Sequence, residues 1–347
     1  MLRLLCAIAA SAAAASSPTC ASDLDCSLNG VCSAQAVCAC DAPWSGPACA
    51  ELTFAATTPA SGKSLYDAGS SAENTWNGPS LTGPDGKIRL YVPLYPKGSL
   101  GAPTSTLRGV ADAITGPFTW AVQPELPGAE NPAAVSFIDP QTGALVFTLW
   151  LAGKVFVASE PDGPWKPSGA TYPGGNPAPV YYKGAWYMTN QATTEVWTTP
   201  RLGAAWTVFS NISHDGLPAN DYHVEDPFLW VDSAGRWHII NHAYSNMQFN
   251  SCGVSDVSAH WFSPDGRAWT FSRQPYGHTV RYDDGTAHTY TTLERPNLHF
   301  NEGRITHITL AADLVTGDEG CANRTRHAHN GHTPCDNCKW CVWARLL

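Results

Sequence analysis

Carboxylates recur beside prolines in this chain, as Glu130-Asn131-Pro132, Glu225-Asp226-Pro227 and Glu294-Arg295-Pro296, while Asn77-Gly78-Pro79 and Asn176-Pro177 repeat the motif without an acid. A fold that gathers these motifs would place Asn77, Glu130, Asn131, Asn176, Glu225, Asp226, Glu294 and Arg295 in one polar funnel. Like charges held close push their pKa values apart, so one carboxyl keeps a proton while another is ionised, which is what acid-base chemistry requires. The same charges also admit a structural use, with Arg295 neutralising Glu130, Glu225 or Asp226 as an ion-pair cluster. Trp76 adjoins the first motif and is the aromatic best placed to stack on a sugar ring; Trp150, Trp186 and Trp197 are further candidates or core residues.

The elements that must position these groups are strands. Each motif leads into an apolar run and then a turn glycine: Gly86, Gly143, Gly184, Gly235 and Gly303. Second strands follow, such as Ile88-Arg-Leu-Tyr-Val92 and Arg236-Trp-His-Ile-Ile240, and four copies close on a glycine followed by an aromatic (Phe118, Trp165, Trp206, Trp269). The residues preceding the motif prolines are spaced by 53, 45, 50 and 69 positions, the size of a four-stranded blade with an insertion in the fourth copy. Radial repetition of such sheets predicts an all-β fold, a five-bladed β-propeller over residues 75–347. A β-sandwich is the alternative, but a sandwich needs no such shared register. The insertion, from His260 through Gly285, is expected to lengthen outer strands or rim the pocket.

Composition agrees. The chain has 30 Gly, 27 Pro, 14 Trp and 12 Tyr, which favours short strands and turns over helices. A net charge of -9 with no basic run argues against nucleic acid as a partner. An extracellular polysaccharide or glycan suits this composition better.

Residues 1–17, with Arg3, a short apolar run and small residues near Ala15, read as a signal peptide. No later window is apolar for long enough to span a bilayer, so no membrane anchor is expected. The 12 cysteines point to an oxidising compartment and a secreted product, and Asn211-Ile-Ser213 and Asn323-Arg-Thr325 are glycosylation sequons.

Residues 18–50 carry Cys20, Cys26, Cys32, Cys38, Cys40 and Cys49, with Trp44-Ser-Gly46 before the last cysteine. About 30 residues bury too little core to fold unaided, so crosslinks must restrict the unfolded chain. Counting alone leaves 15 pairings. The pattern resembles the EGF-like family, which implies Cys20–Cys32, Cys26–Cys38 and Cys40–Cys49, and a stalk or a protein-contact surface. The stretch before Cys20 lacks acidic ligands, so no calcium is expected there. Residues 51–74, rich in Thr, Pro, Ser and Gly, read as a linker.

The repeated motifs resemble the five-bladed glycoside hydrolases, the family 43 arabinanase and xylosidase group and the invertase-like enzymes. The resemblance implies Glu225 as general acid, and allows a central metal ion for which the sequence shows no ligand set. Two departures stand out: the first-blade Asp of that family corresponds to Gly78, and its second Asp to Asn131 or Asn176. Glu294, Glu130 or Asp226 must then supply the second carboxylate that hydrolysis needs. Hydrolysis, sugar binding without turnover and a structural charge cluster all stay open.

His223, His242, His260 and His307 fall near the last two copies, where the default is an ordinary hydrogen-bonded histidine. The tail, His327 to His332 with Cys335, Cys338 and Cys341, has a metal-like composition, yet disulfides are the commoner fate of such thiols in an oxidising compartment. Together with Cys252 and Cys321 these make five cysteines in the large domain, so one is free or pairs with another chain.

Overall fold

A computed structural model describes residues 19–56, 73–96, 102–214, 222–245, 258–290, 293–312 and 340–345. The signal segment 1–17, most of the 51–74 linker, Cys252, Cys321, Asn323, Cys335, Cys338 and the tail histidines lie outside the described residues.

The small N-terminal module has strands β1 (Gly30–Cys32), β2 (Cys38–Cys40), β3 (Trp44–Ser45) and β4 (Glu51–Leu52). Disulfides join Cys20 to Cys32, Cys26 to Cys38 and Cys40 to Cys49. Its packing residues are largely these half-cystines plus Leu28, Trp44 and Leu52.

The rest is all-β and propeller-like. The first sheet holds β5 (Glu73–Thr75), β6 (Ser80–Thr82), β7 (Ile88–Pro96), β8 (Ser105–Ala111) and β9 (Thr119–Gln123), with β5 and β6 both pairing β7. Three four-stranded antiparallel meanders follow: β10 (Ala133–Ile138) to β11 (Leu145–Leu151), β12 (Lys154–Ala158) and β13 (Lys166–Thr171); β14 (Ala178–Tyr182) to β15 (Ala185–Thr189), β16 (Glu195–Thr199) and β17 (Thr207–Asn211); β18 (Tyr222–Val231) to β19 (Trp237–Ser245), β20 (Ser258–Ser263) and β21 (Thr270–Arg273). A two-stranded hairpin, β22 (Thr279–Arg281) with β23 (Ala287–Thr289), precedes the last sheet, β24 (Leu293–Asn301), β25 (Arg304–Ala312) and β26 (Trp340–Arg345).

The first strands of successive sheets adjoin in the order β6, β10, β14, β18, β24. The loop after β5 meets the last sheet: the buried Asn77 donates Nδ2 to the backbone oxygens of Arg295 (2.7 Å) and Thr309 (2.8 Å). Aromatics fill the gaps between sheets. Trp150 and Trp186 are buried in one cluster with Ala133 and Met188, so both are core residues and offer no ring to a ligand.

The fourth-copy insertion departs from expectation. Its hairpin neither extends the fourth sheet nor rims the motif cavity; Tyr276, Val280 and Tyr290 pack with Cys26, Trp44, Cys49 and Leu52 of the module in one apolar cluster that continues into β24 and β25. Leu52 N–H donates to the Pro275 carbonyl at 2.7 Å. The module is therefore docked on the sheets through shared core and is not a free stalk. Among the described residues no helix is long and apolar enough to cross a membrane.

Candidate functional site

Proline dictates the local geometry at each motif. It has no N–H for the ladder and pushes its predecessor out of the α region, so a strand carrying it must bulge. The β18–β19 register shifts between Glu225 and Phe228, and the β24–β25 register shifts between Glu294 and Asn297. The preceding residues take up the strain: Asn176, Asp226 and Arg295 have φ of 46°, 54° and 52°. Such left-handed conformations cost roughly 1–3 kcal/mol each and collect where a side chain must be aimed.

What they aim at is Asp226. Its Oδ1 accepts from the Nδ2 atoms of Asn131 (3.0 Å) and Asn176 (2.6 Å), and its Oδ2 lies 3.5 Å from Arg295 Nε. Arg295 in turn donates to the Glu130 carbonyl, and its own carbonyl accepts from Asn77. All five motifs are thus linked through Asp226 and Arg295. They line a small cavity of about 50 Å³ that includes Asn77, Asn131, Asn176, Asp226 and Arg295; Glu225 and Glu294 are not among its lining residues.

Glu225 pairs with His242 across β18 and β19, which brings His242 Nδ1 to 3.4 Å from Glu225 Oε1. Gln191 Nε2 lies 3.4 Å from the other carboxylate oxygen, and Asn241 braces the strand by donating to the Glu225 carbonyl and, at 2.8 Å, to Thr193 Oγ1. One ligand atom from each of Glu225, Asp226, His242 and Glu294 lies within 4.8 Å of the other three. Glu225 and Glu294 are half-buried, whereas Asp226 and His242 are buried.

Charge is distributed unequally over this group. Burial opposes ionisation of Glu225, but the hydrogen bond and charge of His242, with help from Gln191 and Arg295, hold its carboxyl below the ordinary value. Burial pushes Asp226 up to about 7, with Arg295 opposing and the charges of Glu225 and Glu294 adding to the rise. His242 is pulled down by burial yet ends above its ordinary value because Glu294 and Glu225 face it. Near pH 7 Glu225 is ionised and Asp226 is close to the midpoint of its titration.

The other candidates fall in different places. Trp76 is only 4% exposed, packed with Tyr95 and Ala311, and carries the Arg295 guanidinium 5.5 Å from its ring centre; it supports the site and has no face for a sugar. Glu130 contributes its backbone, and its side chain is exposed. Asn77 is a brace between the first and last sheets. At Gly78 a Cβ would lie 1.7 Å from the Tyr91 carbonyl oxygen, so this backbone admits no side chain at all. His223 is exposed, His260 lies in an aromatic stack under the module, and His307 neighbours His299 on the last sheet. Gln191 is not legible from the sequence; its only signal is its place just after a second strand, the end from which motif residues are met.

An oxygen-rich set with one imidazole is a donor type that suits a hard divalent cation. Arg295 and the two asparagine amides already satisfy Asp226.

No family model and no curated protein matches the chain. Among solved structures it is similar to a thermostable family-43 glycoside hydrolase, at 9% identity over 85% of this chain and 93% of that one, with a TM-score of 0.47. It is also similar to a family 117 glycoside hydrolase from Zobellia galactanivorans (10% identity, 85% and 89% covered, TM-score 0.44). A family-43 beta-xylosidase/alpha-arabinofuranosidase from a compost metagenome gives 12% identity, 82% and 93% coverage and a TM-score of 0.43.

Proposed function

We propose that this is a secreted carbohydrate-active protein, an EGF-like module docked on a five-bladed propeller, which hydrolyses glycosidic bonds of an extracellular polysaccharide. In this reading β24, β25 and β26 form the fifth blade, and Asn77 ties the ring shut. One observation carries the catalytic part: Glu225, Glu294 and Asp226 bring carboxyl oxygens within 4.8 Å of one another, with Glu225 shifted down and Asp226 shifted up.

The half-buried pair faces the substrate. Glu225, kept ionised by His242, attacks the anomeric carbon; Glu294 protonates the leaving oxygen and then deprotonates the water that releases the sugar. Asp226 stays behind them with its proton, which relieves repulsion among three close carboxyls. Oxygens no more than 4.8 Å apart suit the covalent, retaining route, since inversion needs about 6.5–9.5 Å to seat a water. A resident cation is not needed for these steps; Glu225, Asp226, His242 and Glu294 are the residues that would hold one. The exposed Asn211, at the end of β17, suits a glycan on a secreted chain.

Gly78 favours a second reading, sugar binding without turnover, because the acid that resemblance places there cannot be accommodated. Screening the purified protein against arabinan, xylan, fructan and galactan separates the two. Turnover that Glu225→Gln abolishes supports the hydrolase; affinity without turnover in the unmodified protein supports the binding protein.

A further inference from the structure

The motif cavity is small, yet a cavity of about 500 Å³ lies where the module meets the sheets. Its walls come from three places: Asn29, Asp41 and Trp44 of the module, the β18–β19 turn, and the β24–β25 turn. Glu225 and Asp232 stand near opposite ends of β18, about 20 Å apart at the usual rise per residue, so this cleft opens on the face away from the carboxylates.

One wall is fixed in advance. Asp232 Oδ1 accepts from the backbone N–H groups of Ala234 (2.9 Å) and Arg236 (2.8 Å), and its Oδ2 from Arg236 Nε (2.5 Å). Arg236 Nη2 reaches across to Asp41 Oδ2 of the module at 3.2 Å. These charges are mutually spent. Arg304, on the opposing turn, is exposed and makes no ion pair among the described residues. Phe300 and Ile305 add a partly open apolar surface beside it, and the exposed Ser233 adds an uncharged hydroxyl.

A carbon surface, a hydroxyl group and one uncommitted guanidinium are together the chemistry that holds a sugar bearing an acid group. The ring's C–H face lies on the apolar wall, a hydroxyl meets Ser233, and its carboxylate takes the planar fork of Arg304. We propose that this cleft is a second carbohydrate site, selective for an anionic sugar unit and built jointly by the module and the last two sheets. The inference rests on the carbohydrate-active reading but not on turnover. It also explains why the module is docked: the module completes a wall, and two sites on opposite faces bind one long chain more tightly than either binds alone.

The test titrates the full chain with trigalacturonate, its neutral counterpart galactotriose, and sodium sulfate, by calorimetry. Trigalacturonate is expected to bind, Arg304→Ala to weaken it at least tenfold, Arg304→Lys to restore part of the loss, and Glu225→Gln to leave it in place. Arg304 is exposed, so the variants keep the fold, which circular dichroism checks. Equal binding of galactotriose, sulfate competing as well as trigalacturonate, or an unchanged Arg304→Ala would each overturn the proposal. Turnover without uronate binding removes this inference and keeps the hydrolase; uronate binding without turnover does the reverse.

Discussion

Asn176 Nδ2 sits 2.6 Å from Asp226 Oδ1, an amide from the third sheet held against the acid of the fourth. Asn131 donates to the same oxygen, while Oδ2 is the atom nearest Arg295. Asp226 is thus clamped in place from three sheets and buried beside two other carboxyls, and burial is the largest cause of its rise to about 7. The clamp fixes the geometry while the environment sets the protonation.

This sets the pH dependence of turnover. The acid limb of kcat/KM belongs to Glu225, whose pKa is lowered from 4.5, and the alkaline limb to loss of a proton from the Glu294 and Asp226 carboxyls, of which Asp226 titrates near pH 7. Asp226→Asn keeps the neutral form at all pH values and is expected to move the alkaline limb away from pH 7, leaving the limb set by Glu294 as general acid. A wild-type profile flat from pH 6 to 9 would sink the assignment.

Replacing Glu225 by Gln removes the nucleophile and is expected to lower kcat by roughly 10³-fold or more, in the range such groups supply. The first product released is expected to keep its anomeric configuration, because the carboxyl oxygens lie within 4.8 Å. Proton NMR of the earliest product decides this; an inverted anomer means that the second carboxyl stands across the substrate, away from this cluster.

The motif prolines and their spacing make the strand repeat and the converging residues legible, because proline's missing N–H and the bulge it forces are local properties. The acids themselves are found for the same reason. Trp76 reads wrongly because adjacency in sequence says nothing of which way a ring turns, and here it turns into Tyr95 and Ala311. The use of the insertion is illegible too: Tyr276, Val280 and Tyr290 pack with module residues over 200 positions away as well as with the neighbouring β24. Long-range packing of this kind has no period to read.

Gly78→Asp, the substitution that would copy the hydrolases the motifs resemble, is expected to fail. Its Cβ would lie 1.7 Å from a backbone oxygen of β7, and backbone cannot swing aside as a side chain can. A loss exceeding about 3 kcal/mol is expected, as for severe overpacking. Urea denaturation measures it; a stable Gly78→Asp protein with raised activity would show that the first sheet can shift to seat an acid.

Docking of the module is expected to weaken as the pH falls. Trp44 stacks on His260 with ring centres 5.1 Å apart, and His260 Nε2 lies 3.2 Å from His238 Nδ1, so one nitrogen must accept and the pair cannot be doubly charged. Burial lowers both histidines below 6.5, with the charge of His238 adding to the effect on His260 and Asp232 partly opposing it for His238. Trp230, Phe262 and, through Asp232, Arg236 complete the surroundings. A folded pKa below the unfolded one means full stability above about pH 6.5 and loss as the pH falls below it, about 1.4 kcal/mol per unit for each histidine. Asp232, lowered to about 2, adds a further loss below its ordinary 3.8. His242, raised, acts in the opposite sense and loses its contribution as the pH climbs past its folded value. Asp226, raised to about 7, likewise gains stability as the pH falls, so the histidine pair is read by difference: from pH 6.5 to 4.5 the thermal midpoint of the wild type should fall relative to that of His260→Phe. Trp44→Ala, which removes the stacked ring, is expected to cost about 3–5 kcal/mol and to free the module for proteolysis near residue 56 at neutral pH. Parallel pH dependences of the wild type and His260→Phe would show that the histidine pair is already charged or does not link the module to the sheets.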